Sequence, residues 1–120
     1  MDQVDITGEL AKIRARGTEV SSTSLIKTDS LRIVLMALKA GAQLHEHHAD
    51  GRLTVQVLDG QVEFHAEQEQ RKLQAGALVT VEAMVPHGVI ALSDAALLLT
   101  IAWHPQAPGN AGAHRGIGYQ

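Results

Sequence analysis

Hydrophobic and polar residues alternate over much of this chain, with the period of two that is typical of half-buried β-strands. The clearest case is residues 52–57, RLTVQV, in which every second residue is apolar. Asp59-Gly60 follows, and the alternation resumes at Val62. The sequence therefore predicts a strand, a two-residue hairpin turn at Asp59-Gly60 and a second strand paired with the first.

Further short apolar segments, separated by turn residues, predict more strands. The run at residues 31–40, LRIVLMALKA, suits a strand buried on both faces, although periodicity alone also allows a helix. Around Pro86 we expect a loop over residues 85–88. Many short strands at regular spacing favour a sandwich, jelly roll or barrel. The remaining predicted strands cover residues 20–28, 62–66, 71–74, 78–81, 89–92 and 95–103.

The two ends of the chain depart from the strand pattern. Near the N-terminus, Ile6, Leu10 and Ile13 have the spacing of one helical face, and Thr7 is the expected cap. Residues 105–120 are rich in Gly, Ala, Pro and Asn, which predicts a flexible tail.

Length and charge exclude several classes of protein. A chain of 120 residues fits one domain. Its net charge of −3 offers no electrostatic footprint for nucleic acid. Cysteine is absent, which fits a reducing compartment, and no apolar run has the length of a membrane span or signal segment. We expect a cytoplasmic protein that binds neither nucleic acid nor membrane.

The candidate chemistry lies in the histidines. Three of the seven, His45, His47 and His48, fall within four positions just before the strand at residues 52–57, and His87 follows a proline. Neutral imidazoles suit iron, manganese, nickel and zinc. A solvated surface segment would explain the same cluster, and both interpretations stay open. No nucleophile triad or phosphate-binding glycine loop stands out, so catalytic residues stay unknown and no organic cofactor site is predicted.

The glycine and histidine spacing resembles the two motifs of the cupin superfamily. The first motif runs glycine, five residues, His, any residue, His, three or four residues, Glu, six residues, glycine. Counted from Gly41 to Gly60, it places its first histidine on His47, its second on Ala49 and its glutamate on Leu53.

The second motif of the family gives a similar partial match. It runs glycine, five residues, Pro, any residue, Gly, two residues, His, three residues, Asn. Counted from Gly76, its histidine falls on His87, whereas Glu82, Met84 and Ala91 replace its proline, glycine and asparagine.

This resemblance, over about residues 31–103, implies an all-β fold with a single double-stranded β-helix, the cupin jelly-roll barrel. It divides the chain into an N-terminal arm or short helix with the first strand at 1–30, the barrel at 31–104 and the tail at 105–120. Small cupins usually pair their barrels, so the resemblance also implies a homodimer.

The resemblance implies only part of a metal site. Cupins hold a divalent metal with three imidazoles and one carboxylate, and here only His47 and His87 match in place. His45 lies two residues before His47 and would share its face on an extended chain, giving a third nitrogen. The candidate metal ligands are thus His45, His47 and His87, and the implied cofactor is iron, manganese, nickel or zinc, whose binding is left open.

Three functions agree with these residues. The first is a barrel that binds a small-molecule ligand, with or without a metal, and has no catalytic activity. The second is a metal-dependent oxygenase or isomerase. The third is a structural or interaction protein whose barrel is filled by its own side chains. Leu53, an apolar residue at the position of a metal ligand, favours the first.

Overall fold

In the computed structural model the structure describes residues 1–104, which form one short helix followed by nine strands. The elements, in chain order, are α1 (Ile6–Arg14), β1 (Val20–Lys27), β2 (Leu31–Leu38), β3 (Gln43–His47), β4 (Arg52–Asp59), β5 (Gln61–Ala66), β6 (Glu69–Gln74), β7 (Leu78–Val81), β8 (His87–Ala91) and β9 (Ala95–Ala102). One antiparallel sheet has the order β1-β2-β9-β4-β7, and the other has the order β3-β8-β5-β6. The predicted all-β jelly-roll barrel is confirmed, and the predicted tail lies outside the described residues.

The main hydrophobic core lies between the two sheets. Residues 52–57 alternate as predicted, because Leu53, Val55 and Val57 are each about 1% exposed and their neighbours are not buried. The buried members of this core are mostly aliphatic, with Phe64 as its one buried aromatic residue among those described. The interior of the barrel is therefore packed mainly with Val, Leu, Ile and Ala.

A second, smaller cluster covers the outer face of the five-stranded sheet. Ile13 of α1 packs there with Leu35 and Ala37 of β2, so β2 is buried on both faces, as its continuous apolar run predicts. The helix begins one residue earlier than Thr7, and its cap is Asp5, whose carboxylate accepts a hydrogen bond from the Gly8 N–H at 3.1 Å. Within residues 1–104 the helix is too short and too polar to cross a membrane.

The turn at Asp59-Gly60 joins the two sheets and does not form a hairpin. Its flanking strand β4 pairs with β9 and β7, whereas β5 pairs with β8 and β6. The predicted hairpin is wrong because other strands occupy both edges of β4. Gly60 does adopt the expected positive φ, 79°. A hairpin instead joins β5 to β6 through Glu67 and Gln68, which have φ values of 54° and 66° without being glycine.

Candidate functional site

Two histidines from neighbouring strands meet at one end of the barrel. His47 ends β3 and His87 begins β8, where the two residues are paired in register. Their ring centroids lie 4.6 Å apart with an interplanar angle of 61°. His87 is only 1% exposed, and His47 is half-buried. The structure thus brings together the two histidines that match the motif positions, and it starts β8 inside the segment predicted as a loop.

A bulge in β3 decides which histidines face the interior. Leu44 pairs with Val89 and His47 with His87, so three steps along β3 oppose two steps along β8. Leu44 packs against the core, whereas His45 is exposed. The expectation that His45 and His47 share a face is therefore wrong, since the bulge interrupts the alternation on which it rested. The predicted set of three imidazoles is not assembled.

Backbone carbonyl groups orient both rings. The Nδ1 atom of His47 lies 2.7 Å from the carbonyl oxygen of His45, and Nδ1 of His87 lies 3.0 Å from that of Val85. A carbonyl oxygen can only accept, so each Nδ1 donates; a ring with this hydrogen bond carries its lone pair on Nε2 when it is neutral. This is the tautomer in which a histidine coordinates a metal, or accepts a hydrogen bond, through Nε2.

His87 lies in a largely apolar environment. The ring of Phe64 stacks against it, with centroids 6.0 Å apart and planes inclined by 20°. Burial lowers the pKa of His87 below its usual 6.5, and the hydrogen bond to Val85 opposes this effect only in part. Nearby imidazoles lower the pKa further; they belong to His47, His48 and His65. His87 is therefore neutral at physiological pH.

Apolar side chains fill the other two motif positions. Ala49 is 2% exposed and Leu53 is 1% exposed, and both belong to the main core. In residues 1–104 no group of three or more His, Cys, Asp or Glu side chains is arranged to hold a metal ion. Two imidazoles and no carboxylate remain, so the residues present do not fit the four-ligand metal centre that the resemblance implies.

The loop before β8 keeps the shape that the second motif requires. Met84 stands where the family has glycine and adopts a φ of 70°, a conformation that glycine adopts at least cost. Its N–H donates to the carbonyl oxygen of Ala49 at 2.7 Å, which ties this loop to the segment after His47. The local backbone agrees with the motif register counted from Gly76.

A crevice of about 100 Å³ lies between β7 and the β5–β6 hairpin, and neither histidine of the pair lines it. Its apolar wall includes Phe64, which stacks on His87, and Ala66, which pairs with His87 in register. The complete lining consists of Phe64, Ala66, Glu67, Glu69, Arg71, Val79, Thr80 and Val81. The volume suits a molecule of a few heavy atoms, since a cavity of roughly 150 Å³ holds benzene.

His65, His104 and Arg52 do not belong to this pair, although His65 is close enough to lower the pKa of His87. The ring of His65 packs over Gly88 on the outer face of the four-stranded sheet, and His104 is exposed after β9. Arg52 is exposed, on the opposite face of β4 from the buried Leu53.

One group of polar residues was missed by the sequence analysis. The indole Nε1 of Trp103 donates to Asp50 Oδ1 at 2.7 Å, although 53 positions separate the two residues. They lie in a cleft of about 650 Å³ at the ends of β4, β7 and β9. The only sequence signal was that Trp103 is the single tryptophan of the chain.

Comparisons with known proteins agree with this architecture. A model of the cupin domain matches residues 33–103, more than half of the chain. No curated protein matches the sequence.

Solved structures with the same fold have varied descriptions. A conserved protein of unknown function from Streptococcus pyogenes is 24% identical, with a TM-score of 0.72 and coverage of 88% of this chain and 90% of that chain. An RmlC-like cupin from Shewanella frigidimarina is 19% identical, with a TM-score of 0.68 over 73% of this chain and 79% of that one. Salicylate 1,2-dioxygenase from Pseudoaminobacter salicylatoxidans is 18% identical, with a TM-score of 0.68 over 81% of this chain and 30% of that one. At these identities the likeness shows the fold alone.

Proposed function

Because this chain belongs to the cupin family and lacks two of the family's four metal ligands, we propose that it is a barrel that binds a small ligand without metal-dependent catalysis. The observation that carries the proposal is the replacement of the motif histidine and glutamate by Ala49 and Leu53, both buried in the core. A divalent metal held by only two imidazoles binds weakly, and water or another molecule would have to supply its remaining ligands.

The chemistry of the site indicates the kind of ligand. An imidazole of this tautomer accepts hydrogen bonds through Nε2, so a hydroxyl or amine group is the donor that we expect in a ligand of the histidine pair. The crevice beside Phe64 offers apolar contacts from Val79 and Val81 for the rest of the molecule. Charged side chains, those of Glu67, Glu69 and Arg71, also line the crevice, so the expected ligand is small and combines polar groups with an apolar part.

A metal-dependent enzyme is the second candidate function. The observation in its favour is the tautomer of the histidine pair, which places a lone pair on Nε2 of both rings. The salicylate 1,2-dioxygenase named above has the same fold, so a metal-dependent oxygenase is the activity to test for this candidate. Purely structural or interaction roles are the third candidate, favoured by the tight packing around Leu53.

Metal analysis and ligand screening together separate these functions. Protein purified without chelators, and then reconstituted with iron, nickel or zinc, should contain far less than one metal per chain. A library of small hydroxyl and amine compounds, screened by ligand-detected NMR, should yield binders whose signals respond to the wild-type protein and not to His47→Ala. The matched control is His45→Ala, which removes an exposed histidine from the same segment and should bind like the wild type.

Two outcomes would contradict the proposal. About one equivalent of metal, lost in His47→Ala and kept in His45→Ala, would establish the metal site and call for an oxygen-uptake assay. Binders that respond equally to wild type and His47→Ala would place the ligand away from the histidine pair.

We also propose that the protein is a homodimer in the cytoplasm. Support for the dimer comes from the outer face of the five-stranded sheet, where Leu25, Leu58 and Leu98 remain only partly buried around α1. Light scattering coupled to size-exclusion chromatography should give twice the chain mass of 12.8 kDa. A mass of one chain at micromolar concentration would contradict the dimer.

A further inference from the structure

The cleft at the ends of β4, β7 and β9 is separate from the histidine site. Its volume of about 650 Å³ falls within the range of roughly 300–1,000 Å³ that is usual for small-molecule sites. Neither His47 nor His87 contributes to its lining. The lining residues are Asp50, Gly51, Arg52, Glu82, Ala83, Ala102, Trp103 and His104.

A fixed aromatic ring forms one wall of this cleft. The indole Nε1 of Trp103 donates to Asp50 Oδ1 at 2.7 Å, and its backbone N–H donates to the carbonyl of Ser30 at 3.0 Å. Gly51 makes the approach of the ring possible, because a Cβ atom there would lie 2.9 Å from Trp103 Nε1 and 2.6 Å from the carbonyl oxygen of Ala102. The indole is therefore held in place before any ligand arrives, which reduces the entropy lost on binding.

The charged groups of the cleft have both signs. Asp50 and Glu82 supply carboxylates, and Arg52 supplies a guanidinium group. The nearest nitrogen of Arg52 lies 3.6 Å from Glu82 Oε1, and the two side chains are 51% and 73% exposed. Such an exposed, loose ion pair contributes little to stability, so a ligand can replace it at small cost.

The lining matches a ligand that carries opposite charges close together. An ammonium group would interact with the carboxylates and with the face of the indole, the best aromatic partner for a cation. A carboxylate group would pair with the guanidinium of Arg52, whose planar set of donors fits it. An apolar side group would lie against Trp103 and against the methyl groups of Ala83 and Ala102.

We propose that this cleft binds a small zwitterion with an apolar side group, namely a free aliphatic α-amino acid. A simple amine would leave Arg52 without a counter-charge from the ligand, and a simple carboxylate would face Asp50 and Glu82. Neutral sugars could use the indole face but would not use the three charges. The proposal is independent of the histidine site and extends the protein's function to a second ligand.

The test uses the chain's single tryptophan as a reporter. Trp103 fluorescence, and the indole Nε1–H signal in a nitrogen-edited NMR spectrum, both report directly on the cleft. The full chain is titrated with leucine, with isoamylamine, which lacks the carboxylate, with 4-methylpentanoate, which lacks the ammonium, and with glucose. Leucine should shift both signals saturably at millimolar concentration or below, and each analogue should bind at least tenfold more weakly.

Two charge-removing variants sharpen the assignment. Asp50→Asn keeps an oxygen acceptor for the indole and should weaken leucine binding about tenfold. Arg52→Gln should also weaken leucine binding about tenfold, while isoamylamine binding should stay within twofold of wild type. The matched control is Arg16→Gln, which removes an exposed arginine outside both recesses and should leave leucine affinity unchanged. His47→Ala should also leave it unchanged, so failure of the first proposal would not imply failure of this one.

Three results would overturn the proposal. No saturable response to leucine, valine or methionine at millimolar concentrations would exclude an amino-acid site. Isoamylamine or glucose binding as tightly as leucine would show that the cleft recognises a cation or a sugar. Loss of leucine binding in Arg16→Gln, equal to that in Arg52→Gln, would place the ligand elsewhere.

Discussion

The histidine pair and the cleft around Trp103 differ in polarity and burial, although only two residues separate His47 from Asp50 along the chain. In the histidine pair, His87 is 1% exposed and its ring stacks on Phe64. Around Trp103 the lining is open and carries charges of both signs. The comparison shows that the motif positions Ala49 and Leu53 belong to the core, while the charged groups lie at the strand ends.

A physical cost explains this division. A carboxylate in the barrel interior would have to be compensated by a metal or a counter-charge, since burying it alone is strongly unfavourable. Leu53 and Ala49 remove that requirement and add apolar surface to the core. In the cleft, solvent exposure lets Asp50, Arg52 and Glu82 keep their charges at little cost.

The largest effect is expected from placing a charge in the interior. Leu53→Glu should lower the free energy of unfolding by about 4 kcal/mol, because the carboxylate replaces a side chain in the core that is 1% exposed. Urea unfolding measures the loss. The control is Gln56→Glu, at an exposed position of the same strand, which should change stability by less than about 0.5 kcal/mol.

The same variant can rebuild the family's donor set. Adding Ala49→His to Leu53→Glu should produce zinc or nickel binding near one equivalent and recover part of the lost stability. A Leu53→Glu protein as stable as wild type without metal would contradict the packed interior described here.

Removal of the buried imidazole should have the next largest effect. His87→Ala loses the hydrogen bond to Val85 and leaves a cavity beside Phe64, so we expect the free energy of unfolding to fall by about 3 kcal/mol. His104→Ala is the matched control on the surface, with an expected change within about 0.5 kcal/mol. Equal effects of the two variants in denaturant titrations would mean that His87 is not part of the core.

The buried histidine should also make stability depend on pH. The pKa of His87 is lower in the folded protein than the usual 6.5, so below pH 6.5 the unfolded chain binds a proton that the folded chain does not. The contribution of His87 to the free energy of unfolding should be fully present above pH 6.5. It should fall as the pH drops towards the folded-state pKa, by at most about 1.4 kcal/mol per pH unit. Unfolding of wild type and His87→Phe between pH 5 and 8 measures this slope. A slope that is unchanged in His87→Phe would assign it to other groups.

A smaller effect is expected at the open cleft. Gly51→Ala should destabilise the protein by about 2 kcal/mol, because the added methyl group would meet the Ala102 carbonyl and the Trp103 indole. Trp103 emission should shift as the ring moves away from Asp50. Gly76→Ala is an informative comparison, since Gly76 has open space around it and a φ of 96°, so its cost comes from the backbone alone and should leave the emission unchanged. Unaltered emission in Gly51→Ala would contradict the close approach.

The smallest effect should follow from opening the exposed ion pair. Arg52→Gln should change the free energy of unfolding by less than about 0.5 kcal/mol, since both partners are more than half exposed. Thermal unfolding of this variant and of Glu82→Gln checks the expectation. A loss above about 1.5 kcal/mol in either would show that the pair holds the cleft together and is not available to a ligand.

Sequence reasoning predicted most of the secondary structure, but only part of what surrounds the two histidines. The strand alternation and the helix around Ile13 follow from local periodicity. The motif count selected His47 and His87 from their spacing to glycine, and the rings of these two residues meet in the structure. The error at His45 arose because the bulge depends on how β3 pairs with β8, and nothing within the segment signals it.

Long-range pairing also explains the other misses. The turn at Asp59-Gly60 has the residues of a hairpin, but β4 finds its partners in β7 and β9. The Glu67-Gln68 hairpin lacks the glycine or asparagine by which such turns are usually recognised. Asp50 and Trp103 are 53 positions apart, and no local pattern links them.

By itself, the sequence determined that the chain forms short strands with one buried face. It also determined that Ala49 and Leu53, which cannot bind a metal, stand at two ligand positions of the motif. These properties are local, since they depend on side-chain chemistry and on a period of two. The tertiary structure decided that His45 stays outside, that His47 meets His87, and that Trp103 closes on Asp50 over Gly51. Each of these depends on which distant strands pair and in which register, and that choice is made by the packing of the whole barrel.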